Sequence, residues 1–227
     1  SKQGLASIFI PLIIRLLMEL STPYPIGYES TIYAAMIKAR AVLEEQVTGQ
    51  LTREIGLVDL IIRATLPNFL FNFISIVFGL NGIMTIKLVA VMIAGFMGYA
   101  TYRFARRYLQ LPRTSSLLAS MISTLYPTGF RVLWDFHRNA VALGFLLLAF
   151  SYLREPKFRS FILSLVLALI ASLSHQFVAL LAVSTYVTYF VYLVLKARKW
   201  DRAATIALSL APIALIAYIY IILYSGG

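Results

Sequence analysis

Residues 161–195 read FILSLVLALIASLSHQFVALLAVSTYVTYFVYLVL, a run without one Asp, Glu, Lys or Arg. As a single helix rising 1.5 Å per residue it would exceed about 50 Å, against a hydrocarbon core of about 30 Å. The stretch therefore predicts two helices, and the turn between them falls at the polar interruption Ser172, Ser174, His175 and Gln176.

The rest of the chain has the same character. Of its 227 residues, 60% are hydrophobic and 13% charged, whereas soluble domains carry about 25% charged residues. A soluble domain is excluded, and lipid is the expected solvent. With no cysteine, disulfides, thiolate metal sites and cysteine nucleophiles drop out. The net charge of +11 has its first explanation in basic cytoplasmic loops, not in nucleic acid. Ser1 to Leu20 lacks the small-residue cleavage site of a signal peptide and reads as a retained first span.

Apolar runs bounded by charge place spans at 5–20, 84–102, 114–130, 140–153, 160–174, 176–195 and 203–224. A further run, 58–80, is diluted by Asp59, Arg63, Pro67, Asn68 and Asn72. Charge decides its fate. Three basic clusters follow spans: Arg103, Arg106, Arg107 and Arg113; Arg154, Lys157 and Arg159; Lys196, Arg198, Lys199 and Arg202. If 58–80 does not cross, all three fall on the side of Lys2, as the positive-inside rule requires. The expectation is an all-α polytopic membrane protein, one module over 1–227, with seven transmembrane helices. Its N-terminus is cytoplasmic, its C-terminus and candidate site extracytoplasmic, in the cell membrane.

The long first outer loop, 21–83, then holds two interfacial helices. After the turn-rich Thr22 to Gly27, Ser30 caps a helix over about 30–46. Its Ile32, Met36, Ala39 and Leu43 recur at helical spacing, which suits a helix lying on the membrane surface. The second is the 58–80 segment, juxtamembrane or re-entrant. Trp134 and Trp200 fall near the predicted water boundaries, as in an aromatic belt.

This topology gathers ionisable groups at the outer face from three loops: Glu29; Arg131, Asp135, His137, Arg138 and Asn139; and His175. Charges near a bilayer are costly unless paired or functional. Two carboxylates and two imidazoles could hold a divalent cation such as Mg²⁺ or Mn²⁺. An equally open reading makes Asp135 and Arg138 an interfacial ion pair, His175 a satisfied polar residue at a helix turn, and Glu29 a solvated loop charge. Arg15 and Glu19, one turn apart in the first span, are expected to pair with each other or with loop residues.

The order of a first span, Tyr24-Pro25-Ile26-Gly27-Tyr28-Glu29, an amphipathic helix with Tyr33, further spans and then a loop with Asp135 resembles the GT-C class of membrane glycosyltransferases. That class includes oligosaccharyltransferase catalytic subunits, protein O-mannosyltransferases and the aminoarabinose transferases of lipid A. Asp135-Phe136-His137-Arg138-Asn139 is similar to an Asp-x-x-Arg-Asn pattern in archaeal relatives, and Gly27-Tyr28-Glu29 to their Gly-Tyr-Asp, with Glu for Asp.

The resemblance covers the seven-helix module that the class shares. It implies transfer of a sugar from a polyprenyl-phosphate-linked donor at the outer membrane face. Glu29 and Asp135 would be catalytic base or metal ligands, Arg131 and Arg138 would bind the donor phosphate, and Tyr28, His137, Asn139 and His175 would line the site. Family enzymes continue beyond this module, whereas this chain stops at Gly227. The implied partners are therefore the lipid-linked donor, membrane lipid, and a partner subunit or the rest of a longer chain. Two rival readings stay open: a non-catalytic membrane subunit or lipid-binding scaffold with the same fold, and a small transporter.

Overall fold

The computed structural model describes residues 2–24, 34, 66–126, 137–153, 158–196 and 200–225. These form helices α1 (Lys2–Leu20), α2 (Leu66–Phe78), α3 (Gly82–Arg107), α4 (Arg113–Leu125), α5 (His137–Leu153), α6 (Phe158–Ser174), α7 (Gln176–Leu195) and α8 (Trp200–Ser225), with no strand among them. The all-helical expectation holds. Three helices, α1, α3 and α7, are long and apolar enough to cross a membrane; α5 and α6, at 17 residues each, and a stretch of α8 are apolar but shorter. At 13 residues α4 is shorter again.

Local chemistry sets the boundaries. The apolar run 161–195 breaks at His175, whose extended backbone (φ −161°, ψ 132°) separates α6 from α7. The helix over the expected span 114–130 stops at Leu125, where Tyr126 turns extended. The residue before a proline is pushed out of the helical region, and Pro127 is next. The segment expected as the 58–80 helix is described as a helix from Leu66. It ends in a Schellman arrangement: Gly79 takes a φ of 61° and the Leu80 N–H reaches back to the Ser75 carbonyl at 3.0 Å, as left-handed C-caps do. Asn81 then caps α3, accepting from the Met84 N–H at 2.9 Å. The 30–46 helix lies outside the described residues except for Ala34, which is buried against Gly82 at the start of α3.

α3 is the hub of the packing. α1 runs antiparallel to it, with Ser7 beside Gly98, Leu12 beside Gly95 and Glu19 beside Lys87. α5 runs parallel to it: Phe96 meets Gly144 and Phe145, and Phe104 meets Phe150. α6 folds back on α5 and α7 on α6, pinned where the Ser164 hydroxyl donates to the Ala149 carbonyl at 2.9 Å and lies 2.9 Å from the Tyr186 hydroxyl. Because Ser164 spends its one proton on Ala149, Tyr186 is the donor to Ser164. α8 packs along α7 through Ala179 and Ala217.

Small hydroxyl side chains are buried among the apolar core, while many large apolar side chains face outward. Ser7, Ser116, Ser120, Thr124, Ser151, Ser164, Ser172 and Ser209 are buried, while Leu20, Ile76, Phe158 and Leu208 are more than 70% exposed. In water that would be an error of design. In lipid, apolar side chains face the tails, and helices associate through small residues and hydroxyls. The hydroxyls obey the same rule: Ser172 donates to the Ala168 carbonyl, and the exposed Ser184, Thr185 and Thr188 donate to the carbonyls one turn back. Each is satisfied within its own helix, as a medium without water demands. With three helices long and apolar enough to cross a bilayer, this pattern suggests a membrane protein.

The α1–α3 contact brings backbone against backbone. Pro11 has no N–H, so the Ser7 carbonyl one turn earlier lacks its helical donor. That carbonyl faces Gly98, where a Cβ would lie 2.1 Å from it, and the Ser120 hydroxyl of α4 donates to the Gly98 carbonyl at 2.7 Å. Gly98→Ala is expected to cost about 1–3 kcal/mol by forcing backbone apart. Gly95→Ala, whose Cβ would meet nothing closer than 3.2 Å, should cost much less. Unfolding of both variants in detergent, followed by circular dichroism, checks the order.

Candidate functional site

Helix direction brings four structural ends together: the C-terminus of α1, the N-termini of α3 and α5, and the α6–α7 junction. Each contributes a polar or charged group. On α1, Arg15 and Glu19 are 1% and 2% exposed and joined by a 2.5 Å hydrogen bond from Nη2 to Oε1. The pairing read from their one-turn spacing is thus observed. Two charges brought out of water are tolerated because each compensates the other, although such a pair is more sensitive to loss of one partner than it is stabilising.

From α3, the half-buried Lys87 turns its ammonium to the end of α1. Nζ donates to the Glu19 carbonyl at 2.7 Å and also to the Thr22 carbonyl. The last carbonyls of a helix have no internal partner and carry its negative dipole end, so a lysine from a neighbouring helix caps them well. Lys87 thereby fixes the point at which the chain leaves α1. The Thr22 hydroxyl donates to the Tyr24 carbonyl at 2.7 Å and shapes the next turn. Glu29 and Tyr28, beyond it, lie outside the described residues.

α5 brings His137, fully buried and within electrostatic reach of Arg15. Arg138 and Asn139 follow, half-buried. Here the structure corrects the sequence reading, which put His137, Arg138 and Asn139 in a loop before a span starting at 140: all three form the first turn of α5. A first turn tolerates polar residues because its N–H groups are unpaired within the helix. Arg131 and Asp135 lie outside the described residues.

His175 closes the cluster. Its Nδ1 accepts from the Phe177 N–H at 3.3 Å, capping α7, and its ring stacks on Phe177. An accepting Nδ1 places the proton of the neutral ring on Nε2. Burial, with the Arg138 guanidinium near, pushes its pKa down to about 4. His175 and Arg138, both expected in the site, are therefore within electrostatic reach of each other.

Sequence reasoning missed Lys87, which sits inside an apolar run and carries no motif. Its signal was present only as an isolated lysine one turn into a span, close enough to an end to reach water or a carbonyl. Among the described residues no three His, Asp or Glu side chains come together as a metal site; the proposed ligands Glu29 and Asp135 are not among them. Of the described cations at this end, Arg15 is compensated by Glu19 and Lys87 caps α1, while Arg138 lies in the first turn of α5, near the two imidazoles. Compared with known proteins, the chain matches no family model, no curated protein and no solved structure.

Two outcomes follow from this geometry. Arg15→Met or Glu19→Leu alone should cost about 3–5 kcal/mol, and the double variant less than the sum, read from denaturation of the singles and the double in one detergent. For His175 the folded pKa lies below the unfolded value of about 6.5, so the unfolded chain binds more protons between about 4 and 6.5 and stability falls as pH drops through that window. His175→Asn, which keeps a capping side chain without a titrating group, should flatten that part of the profile of melting temperature against pH.

Proposed function

We propose that this chain is the membrane module of a GT-C-like glycosyltransferase that takes a sugar from a polyprenyl-phosphate-linked donor at the outer membrane face. The observation that carries the reading is the convergence of Arg15, Glu19, Lys87, His137, Arg138 and His175 at one end of a helical bundle with an exposed apolar surface. That end also receives the chain entering residues 25–33 and leaving residues 127–136, which contain Glu29 and Asp135. Seven crossings, with α2 held to one side and the N-terminus cytoplasmic, belong to the same proposal. The basic residues at the opposite end favour that orientation.

In this reading the donor lipid lies along the apolar outer surface, and its phosphate enters the cationic end. Arg131 and Arg138 balance the charge that grows on the phosphate oxygen as its bond to the sugar breaks. Glu29 or Asp135 takes the proton from the acceptor as the new bond to the anomeric carbon forms. Tyr28, His137, Asn139 and His175 line the site. A Mg²⁺ or Mn²⁺ ion would be held by the carboxylates of Glu29 and Asp135 and would add charge balance at the phosphate.

The test is sugar transfer from a polyprenyl-phosphate donor by the protein in membranes, comparing Glu29→Gln and Asp135→Asn with the parent. Removal of a general base is expected to lower transfer by about 10²-fold or more. Undiminished transfer in both variants overturns the assignment. Donor binding without turnover in the parent identifies a non-catalytic lipid-binding subunit instead.

A further inference from the structure

The end of the bundle opposite the candidate site carries a second charged surface. There α3 turns into α4, α5 into α6 and α7 into α8. Arg103 and Arg106 at this end are held within the protein: Arg103 donates to the Tyr99 hydroxyl at 2.9 Å and lies 4.5 Å above the Tyr152 ring, and Arg106 donates to the Leu111 carbonyl. Arg107, Arg113, Arg159 and Lys196 are instead exposed. They come from three different turns. Among the described residues of this end, the one carboxylate is Asp201.

Each turn carries an exposed apolar side chain together with its cations. Leu109 lies in the turn between Arg107 and Arg113 and is 50% exposed; Phe158 precedes Arg159 and is 78% exposed; Leu195 precedes Lys196 and is 74% exposed. Such a pair matches the boundary of a bilayer, where the apolar group enters the acyl region and the cation meets phosphate. A soluble polyanion would leave these apolar groups in water.

We propose that this rim binds anionic phospholipid headgroups, with Arg113, Arg159 and Lys196 as one contact on each of the three turns. The apolar neighbours hold the lipid's upper chain, and the cations recognise its phosphate. A basic residue at a membrane surface contributes about 1 kcal/mol toward anionic lipid, equivalent to about fivefold in local enrichment. This inference needs only the membrane character of the fold and is independent of glycosyl transfer.

The test reconstitutes the chain in vesicles of phosphatidylcholine containing 30 mol% phosphatidylglycerol, ~0.3 mole fraction, enough to supply anionic headgroups at the rim. Spin-labelled lipids of each type then report the composition of the lipid shell. The expected result is phosphatidylglycerol enrichment of about fivefold that falls as salt rises and is largely lost in the triple variant Arg113→Gln, Arg159→Gln, Lys196→Gln. The charge-keeping variant Arg113→Lys, Arg159→Lys should retain it. Absence of enrichment in the parent overturns the proposal, as does enrichment that is insensitive to salt. Enrichment unchanged in a folded triple variant does the same. Displacement of the labelled lipid by millimolar glycerol phosphate would assign the sites to free phosphate and overturn the lipid claim.

Discussion

The close approach of α1 to α3 at Gly98 is the contact on which the rest of the bundle depends. Between helices in lipid there is no hydrophobic driving force, because tails are as apolar as leucine. Association has to come from close packing and from hydrogen bonds that have no water competitor. Pro11 exposes the Ser7 carbonyl, Gly98 offers it a surface without a side chain, and Ser120 brings α4 to the Gly98 carbonyl. Three helices are thereby locked through small residues, and the line continues along Gly95 toward Lys87 and the polar end.

The same constraint explains the second half. Ser164 and Tyr186 join α5, α6 and α7 by two buried hydrogen bonds, and Phe104, Tyr108, Phe150 and Tyr186 pack at tilted angles across α3, α5 and α7, with ring centroids 5.9–6.3 Å apart between helices. Interhelical hydrogen bonds in membranes average about 0.6 kcal/mol each, so these contacts specify which faces meet more than they supply bulk stability. With α3 fixed between α1 and α5, the ends carrying Arg15, Lys87 and His137 have to meet. The polar cluster is a consequence of helix register.

Much of the architecture was legible in the residues. The uncharged run 161–195 had to break, and it breaks at His175 because an imidazole can cap the next helix. The one-turn spacing of Arg15 and Glu19 announced their pairing. Other features were not legible. His137, Arg138 and Asn139 read as loop because polar residues weaken an apolar pattern, yet a helix's first turn accepts them. Lys87 read as an ordinary lysine of a span, since its partners Glu19 and Thr22 are more than sixty positions away.

Composition and periodicity alone determined that the chain is helical and belongs in lipid: too few charges remain to solvate a surface, and the apolar runs match helices that can enter a bilayer. They also set particular helix ends, before Pro127 and at His175, where a proline and a capping side chain act locally on the backbone. Only the tertiary structure decided which serines face a neighbour and which face their own helix, and that Lys87 caps α1. It alone brought His137 within electrostatic reach of Arg15 and His175 within reach of Arg138. Those outcomes depend on the rotation and register of one helix against another, which small residues far apart in the chain fix jointly and no local pattern encodes.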